Sequence, residues 1–431
     1  MNRWKSEYER KKTTAREAVA AVASGDRVVF SHACGEPRLL PGELARRAEE
    51  LRDVRIIHMV PMGEGLYCRP EFAASFRHVS LFAGAPTREA IWEDRADYIP
   101  CHNSQIPSLF GTVLPVDVAM VTVSPPDASG FCSLGVSVDY TKKGVECART
   151  VIAEVNPRMP RTHGDSFIPL SRVDRLVEVD LPIYELRKKD MTDVEERIGR
   201  HAAELVEDES CLQLGIGGIP DAVLANLSHF RDLGVHSEMV SDGVMDLVEK
   251  GVITGEKKSL HKGKIVVTFL MGSKKFYDWV HDNPMIEMHP VDYTNNPFLI
   301  ARNRKMISIN SALEVDLLGQ VCADTLGPRQ FSGVGGQVDF VRGAKMSEGG
   351  KAVIALPSTA RDSSRIVPVL KEGAAVTTSR NDVDYVVTEF GIAPLFGKTR
   401  RERIQAIIRI AHPRFQEDLA RKAFEIYRVK I

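Results

Sequence analysis

Apolar residues in this chain come in short runs set apart by polar, glycine- and proline-containing stretches. Val28–Phe30 and Leu212–Leu214 read as short buried strands, and Val116–Val123 is apolar on both faces, which suits a parallel strand covered by helices. Thr14 with Glu17 and Thr192 with Glu195 have the Thr-x-x-Glu form of a capping box. The first opens a helix through Ala18 and Val22, the second a helix with Val194, Ile198, Ala202 and Leu205 on one face.

Two of the strands lead into matching punctuation. After Val28–Phe30, Gly35 and Pro37 mark a turn and Leu40 and Leu44 begin a helix. After Leu212–Leu214 come the glycines of GIGGIP, then Pro220, placed where a first helical residue tolerates proline, and a helix through Val223 and Leu227. Laying Gly35 on Gly218 also lays Pro37 on Pro220 and Leu44 on Leu227, and a further strand follows each copy, VRIIHM in one and VHSEM in the other. The pattern predicts an α/β fold of two tandem, related open domains, residues 1–188 and 189–431, with a boundary near Lys188 in the polar linker Tyr184–Asp190. The strand within Pro115–Phe131 is matched to Val383–Gly391, and the Lys/Arg-rich helix of TRRERIQAIIRIAH closes the chain.

Composition narrows the function classes. Lys and Arg number 57 against 58 Asp and Glu, so no bulk field exists for gripping a nucleic acid. The charged start MNRWKSEYERKK is no secretory signal and no apolar run approaches a membrane span; the expected address is the cytoplasm, with no membrane partner. Seven cysteines, scattered without a Cys-x-x-Cys pair, read as reduced packing residues, and twelve histidines show no His-x-x-x-His spacing, so no metal is expected.

The candidate chemistry gathers around Gly234–Gly243. A strand ending near Glu238 in a parallel sheet points its carboxyl end at the ligand crevice, beside the glycine turn. Gly215-x-Gly217 with Glu238 beyond it resembles a dinucleotide fingerprint, but Pro220 stands where the third glycine belongs, and no Gly-Lys-Ser/Thr follows to make a phosphate loop. What survives is a small-residue helix start that lets a polar ligand approach backbone N–H groups. Glu238 is a candidate nucleophile, with oxyanion donors from the second glycine turn, Ser332–Phe340, and from the side-chain amide of Asn296 before Pro297. Glu314 and Asp316 share one strand face and rank below Glu238. His32, His58 and His102 lie at turns or strand ends of the first half, and Lys398–Arg403 reads as a solvated helix start.

Taken together, GIGGIPDAV, GVHSEMVSDG, SINSALEVDLLGQV, FSGVGGQVDF, DYVVTEFGIAPLFGKT, NPRMPRTHGDSFI and SPPDASGFCSLG span nearly the whole chain. As a set they resemble the acetyl-CoA hydrolase/transferase family of class I coenzyme A transferases, nearest the 4-hydroxybutyrate and butyryl-CoA:acetate branch. The resemblance implies ping-pong exchange of coenzyme A between carboxylic acids, with no metal or permanently bound cofactor, and CoA and acyl-CoA as substrates. It places the catalytic glutamate on Glu238, oxyanion donors on Asn296 and the backbone of Gly335 or Gly336, and the CoA-contacting residues on Gln213, Leu214, Gly215, Ile216, Gly217, Gly218 and Gly333. It further implies a site between the two domains, a homodimer or homotetramer, and an acid pocket from the first half, for which His32, Gly35, Tyr67, Pro100 and Ser104 are candidates. Two other readings stay open: an acyl-CoA hydrolase using the same nucleophile, and an NAD-type nucleotide-binding protein with Glu238 on a ribose.

Overall fold

The computed structural model describes residues 3–186 and 190–431, so Lys188, the expected boundary, lies outside the described residues. Two compact units divide the chain, Met1–Arg187 with Val266–Thr294, and Lys188–Ile265 with Asn295–Ile431. The chain thus leaves the first unit, returns to it, and leaves again. Both units are α/β with parallel sheets.

In the first unit seven strands lie in the order Arg175–Glu178, Thr150–Val155, Val118–Val123, Arg27–Phe30, Val54–Met59, Phe76–Phe82, Ala96–Tyr98, and every neighbouring pair is parallel. Val118–Val123 is buried at every position, which is why its sequence shows no alternation. Helix and strand side chains meet over Val28, Phe30, Leu40, Leu44, Ile56, Val118 and Met120 in one apolar core. Burying such a set is the main favourable term that holds the layer together.

The second unit repeats the plan around Cys211–Leu214. That strand pairs in parallel with Met306–Ser311 on one side and Gly234–His236 on the other. Lys351–Ala355 and Tyr385–Thr388 extend the sheet in parallel, and Gly391–Pro394 closes the edge antiparallel. Counted outward from the central strand, Val118–Val123 in the first unit corresponds to Met306–Ser311. Tyr385–Thr388 corresponds to Arg175–Glu178, so the match of Pro115–Phe131 with Val383–Gly391 is corrected. Both candidates are short buried runs, and only sheet order distinguishes them.

Local signals set several ends. Both capping boxes form, Thr14 with Glu17 and Thr192 with Glu195, and a third, Thr399 with Glu402, opens the helix Arg400–Arg409. A further helix, Pro413–Tyr427, follows what the pattern took as the last one. The helix after the glycine turn begins at Gly218 rather than at Pro220, because Gly217 turns the chain at φ 112. Proline is harmless two residues later, since first-turn N–H groups have no helical acceptor. This helix and Asp193–Ala203 cross closely at Gly199, where a Cβ would stand 2.5 Å from the Ala222 backbone and side chain. Gly199→Ala should therefore lower the unfolding free energy by about 1–3 kcal/mol, read as a lower urea midpoint at unchanged slope.

Candidate active site

Glu238 lies in the second unit, just past the carboxyl end of the Gly234–His236 strand, half-buried. Its neighbour Ser237 is buried, and the Ser237 hydroxyl donates toward Met239 O at 2.8 Å and Leu214 O at 3.2 Å. Residues before and after the glutamate are thereby tied to the end of the central strand, where the glycine turn starts. The position expected from strand topology is the one found.

The Glu238 carboxylate meets two other segments. Asn295, fully buried, donates from Nδ2 to Glu238 Oε2 at 2.6 Å. A carboxylate only accepts, so the amide nitrogen must face it. Gly336 comes so near that a Cβ on it would fall inside contact distance of both Glu238 Oε2 and Asn295 Nδ2. Gly336 is also the N-cap of the helix Gln337–Met346, so the carboxylate stands at the positive end of a helix dipole, where negative charge is stabilised. Gly335, before it, holds φ 54, a conformation glycine adopts without steric cost.

Why these segments meet is a matter of packing. The short helix Pro297–Ile300 follows Asn295, and its Ile300 lies where a Cβ on Gly343 would be. Gly343 belongs to the helix capped by Gly336. The close crossing brings Asn295, two residues ahead of the short helix, to Gly336, the residue just before the long one.

Asn296 is placed differently from the expectation. Its Oδ1 accepts the Phe298 N–H at 3.0 Å and caps the short helix. The amide that reaches Glu238 is that of Asn295, one residue earlier. An asparagine before proline reads from sequence as a turn residue, and here it is one; the Asn-Asn pair was the only signal for its neighbour.

The residues expected to contact CoA divide in two. Gln213 is buried with its amide turned into its own sheet, where Oε1 accepts from Ser308 Oγ at 2.7 Å and Asn310 Nδ2 at 3.2 Å. Leu214 is buried as well, and so is Gly333 in the turn before the long helix. Ile216 and Gly217 are exposed, with Gly215 and Gly218 partly so. The ligand-accessible part of this loop is therefore Gly215–Gly218.

Other candidates resolve into structural roles. Asp316 accepts from Leu318 N, Gln320 N and Gln320 Nε2, while Glu314 accepts from Lys371 N at 3.0 Å. Both carboxylates are spent on loops of their own sheet. In the first unit His58 is fully buried between Tyr67 Oη at 2.8 Å and Ser31 O at 3.0 Å. Ser31 O must receive the Nε2 proton, so Nδ1 accepts from the tyrosine, and burial holds the ring neutral. His32 is buried with Nδ1 3.4 Å from Asp139 Oδ2. Tyr67 sits in the apolar core, whereas Pro100 is on the surface and Ser104 half-buried. Arg403 donates to Leu318 O and Arg380 O, which anchors the basic helix start. All seven cysteines are free, and among the described residues no helix is long and apolar enough to cross a membrane.

Residues 1–183 match the acetyl-CoA hydrolase/transferase N-terminal domain, and residues 272–423 match the C-terminal domain of the same name. The chain belongs to the acetyl-CoA hydrolase/transferase family. It is 56% identical over 419 residues to the 4-hydroxybutyrate coenzyme A transferase of Clostridium kluyveri, covering 96% of this chain and 98% of that one. It is 39% identical over 435 residues to the butyryl-CoA:acetate CoA-transferase of Anaerostipes caccae, covering 97% of each. Among solved structures, a 4-hydroxybutyrate CoA-transferase from Porphyromonas gingivalis superposes with a TM-score of 0.85 at 43% identity, over 99% of this chain and 100% of that one.

In a crystal structure of Gly336→Ala, the added methyl should displace the Glu238 carboxylate and break the Asn295 hydrogen bond. The strands around it should keep their places.

Proposed function

We infer that this family member is a CoA-transferase that exchanges coenzyme A between a short-chain acyl-CoA and a carboxylic acid, with Glu238 as the nucleophile. The acids are of the 4-hydroxybutyrate, butyrate and acetate type carried in the names of its relatives. The observation that carries the reading is the half-buried Glu238 carboxylate, held at 2.6 Å by a buried amide and backed by a glycine that leaves it room.

The chemistry follows in balanced steps. One Glu238 oxygen attacks the thioester carbonyl carbon. The C–S bond breaks, and CoA thiolate leaves an acyl-glutamyl anhydride. The thiolate then attacks the glutamyl carbonyl of that anhydride, releasing the acyl group as a free carboxylate and leaving a glutamyl-CoA thioester. A second acid runs the same steps in reverse and regains Glu238 as a carboxylate. An amide nitrogen carries two N–H groups and the resting carboxylate uses one of Asn295's, so the other is free for the developing oxyanion. Backbone N–H groups at Gly335 and Gly336 complete that cradle, as fixed donors that need no reorganisation during reaction. Gly215–Gly218 receives the CoA handle against backbone at the helix start. A carboxylate is a weak nucleophile toward a thioester, so binding energy from the non-reacting CoA must be used as the transition state forms.

Incubation with acyl-CoA alone should put a borohydride-reducible thioester on Glu238, found by mass spectrometry of the peptide that carries it. A wild-type peptide left unreduced would remove the nucleophile from the proposal. Thiol release that needs no added acid would make the enzyme a hydrolase instead. Asn295→Ala should lower kcat about 10²–10³-fold, the usual effect of removing one oxyanion donor, measured as acetate-dependent exchange.

A further inference from the structure

Two buried carboxylates in the first unit stand outside this chemistry. Glu154, on the Thr150–Val155 strand, accepts the N–H groups of Arg38, Leu39 and Leu40 at 2.8, 2.7 and 2.8 Å. It caps the helix Leu40–Ala45 from within, and its role is structural. Glu36 makes a different connection. It follows the Arg27–Phe30 strand, is 4% exposed, and accepts Met62 N–H at 2.6 Å and Gly63 N–H at 2.8 Å on Oε2. Met62 and Gly63 belong to the turn after Val54–Met59, the next strand of the sheet. One carboxylate thus ties together the turns that leave two adjacent parallel strands at their carboxyl ends, the edge at which open α/β sheets receive ligands.

Both turns are held in uncommon backbone conformations. Ala33 has φ 48 and Val60, a β-branched residue, has φ 43, states that surroundings must enforce and that cluster at ligand-handling sites. Gly63 has no room for a side chain: a Cβ there would stand 2.7 Å from Glu36 Oε1 and 2.9 Å from Tyr184 Oη. The turn is therefore shaped against the carboxylate.

We propose that Glu36 is a positioning residue for the acid substrate: its ionised carboxylate fixes the Met62–Gly63 turn in the shape that receives the acid, and protonation lets the turn relax. This rests on the CoA-transferase reading above.

The surrounding groups leave Glu36 open to titration. Arg38, on its own segment, lies over the Tyr184 ring at 4.0 Å, and Glu154, bonded to the Arg38–Leu40 N–H groups of that segment, opposes ionisation of Glu36. Cys34, Tyr67, Tyr140 and Tyr184 complete the set. Burial pushes the Cys34 thiol up to about 12 and raises the three phenols, so these four stay neutral near pH 7. Burial raises Glu154 as well, and it pushes Glu36 up to about 7, against the pull of the Gly63 and Met62 N–H groups and Arg38. A carboxyl with a raised folded-state value binds its proton more tightly when folded. Its stabilising contribution is complete below the unfolded value of 4.5 and is lost as pH rises through about 7. Function would then require the form that is worse for stability.

The test is the pH dependence of exchange in the full-length protein and in Glu36→Gln. In the wild type, KM for the acceptor acid should rise as pH falls through about 7, with kcat at saturating acid little changed. The Glu36→Gln protein should show a KM about five- to tenfold higher at pH ~8, the loss of charge on one hydrogen-bonded acceptor. It should have no inflection near pH 7 and should melt no lower than the wild type at that pH. A wild-type KM that is flat across this range overturns the proposal even if the variant fails to fold. So does a folded variant that keeps the wild-type KM and inflection, which would assign the titration to Glu154 or another group. A wild type with no acid-dependent exchange at all counts against the CoA-transferase reading instead.

Discussion

The close approach of Gly336 to Glu238 is the constraint on which the candidate site depends. No side chain fits between that backbone and the carboxylate. The glutamate therefore rests directly against a helix start and within reach of Asn295, without a shell of intervening atoms. Everything that brings the three segments together serves this contact: the Ser237 hydroxyl that pins the glutamate's turn, the crossing of two helices at Gly343, and the positive φ at Gly335. A carboxylate so placed has a buried amide donor and the positive end of a helix dipole against it.

Both units use the carboxyl edge of a parallel sheet, but they load it differently. In the second unit the edge carries Glu238 and an accessible glycine turn. In the first it carries turns locked by buried carboxylates, Glu154 through three backbone N–H groups and Glu36 through two. Internal repetition thus supplies one scaffold twice, and the chemistry differs through which loop residues occupy the strand ends. Loops set on a rigid sheet can vary in this way without disturbing the core.

Much of this was legible in the residues. Runs such as Val118–Val123 announce a parallel strand because burial on both faces removes the need for polar positions, and Thr192 with Glu195 announces a helix start because the two side chains satisfy each other's backbone donors. The glutamate at 238 was legible as well, from a strand end beside a glycine turn. Choosing between Asn295 and Asn296 was not. Proline after Asn296 makes that residue look special, yet the same proline makes it a helix cap, and the cap consumes its side-chain oxygen.

What the chain alone determined, then, was the kind and order of elements, the doubling of the α/β plan, and the place of Glu238 just past a strand end, since each depends on neighbours a few residues apart. The tertiary structure decided which strands are equivalent, which asparagine meets the carboxylate, that Gln213 faces inward, and that Glu36 is buried at all. Each of these joins residues tens of positions distant, through packing and through hydrogen bonds whose partners are unrelated in sequence. Local pattern carries no record of such pairings, because a buried glutamate and a solvated one are spelled alike.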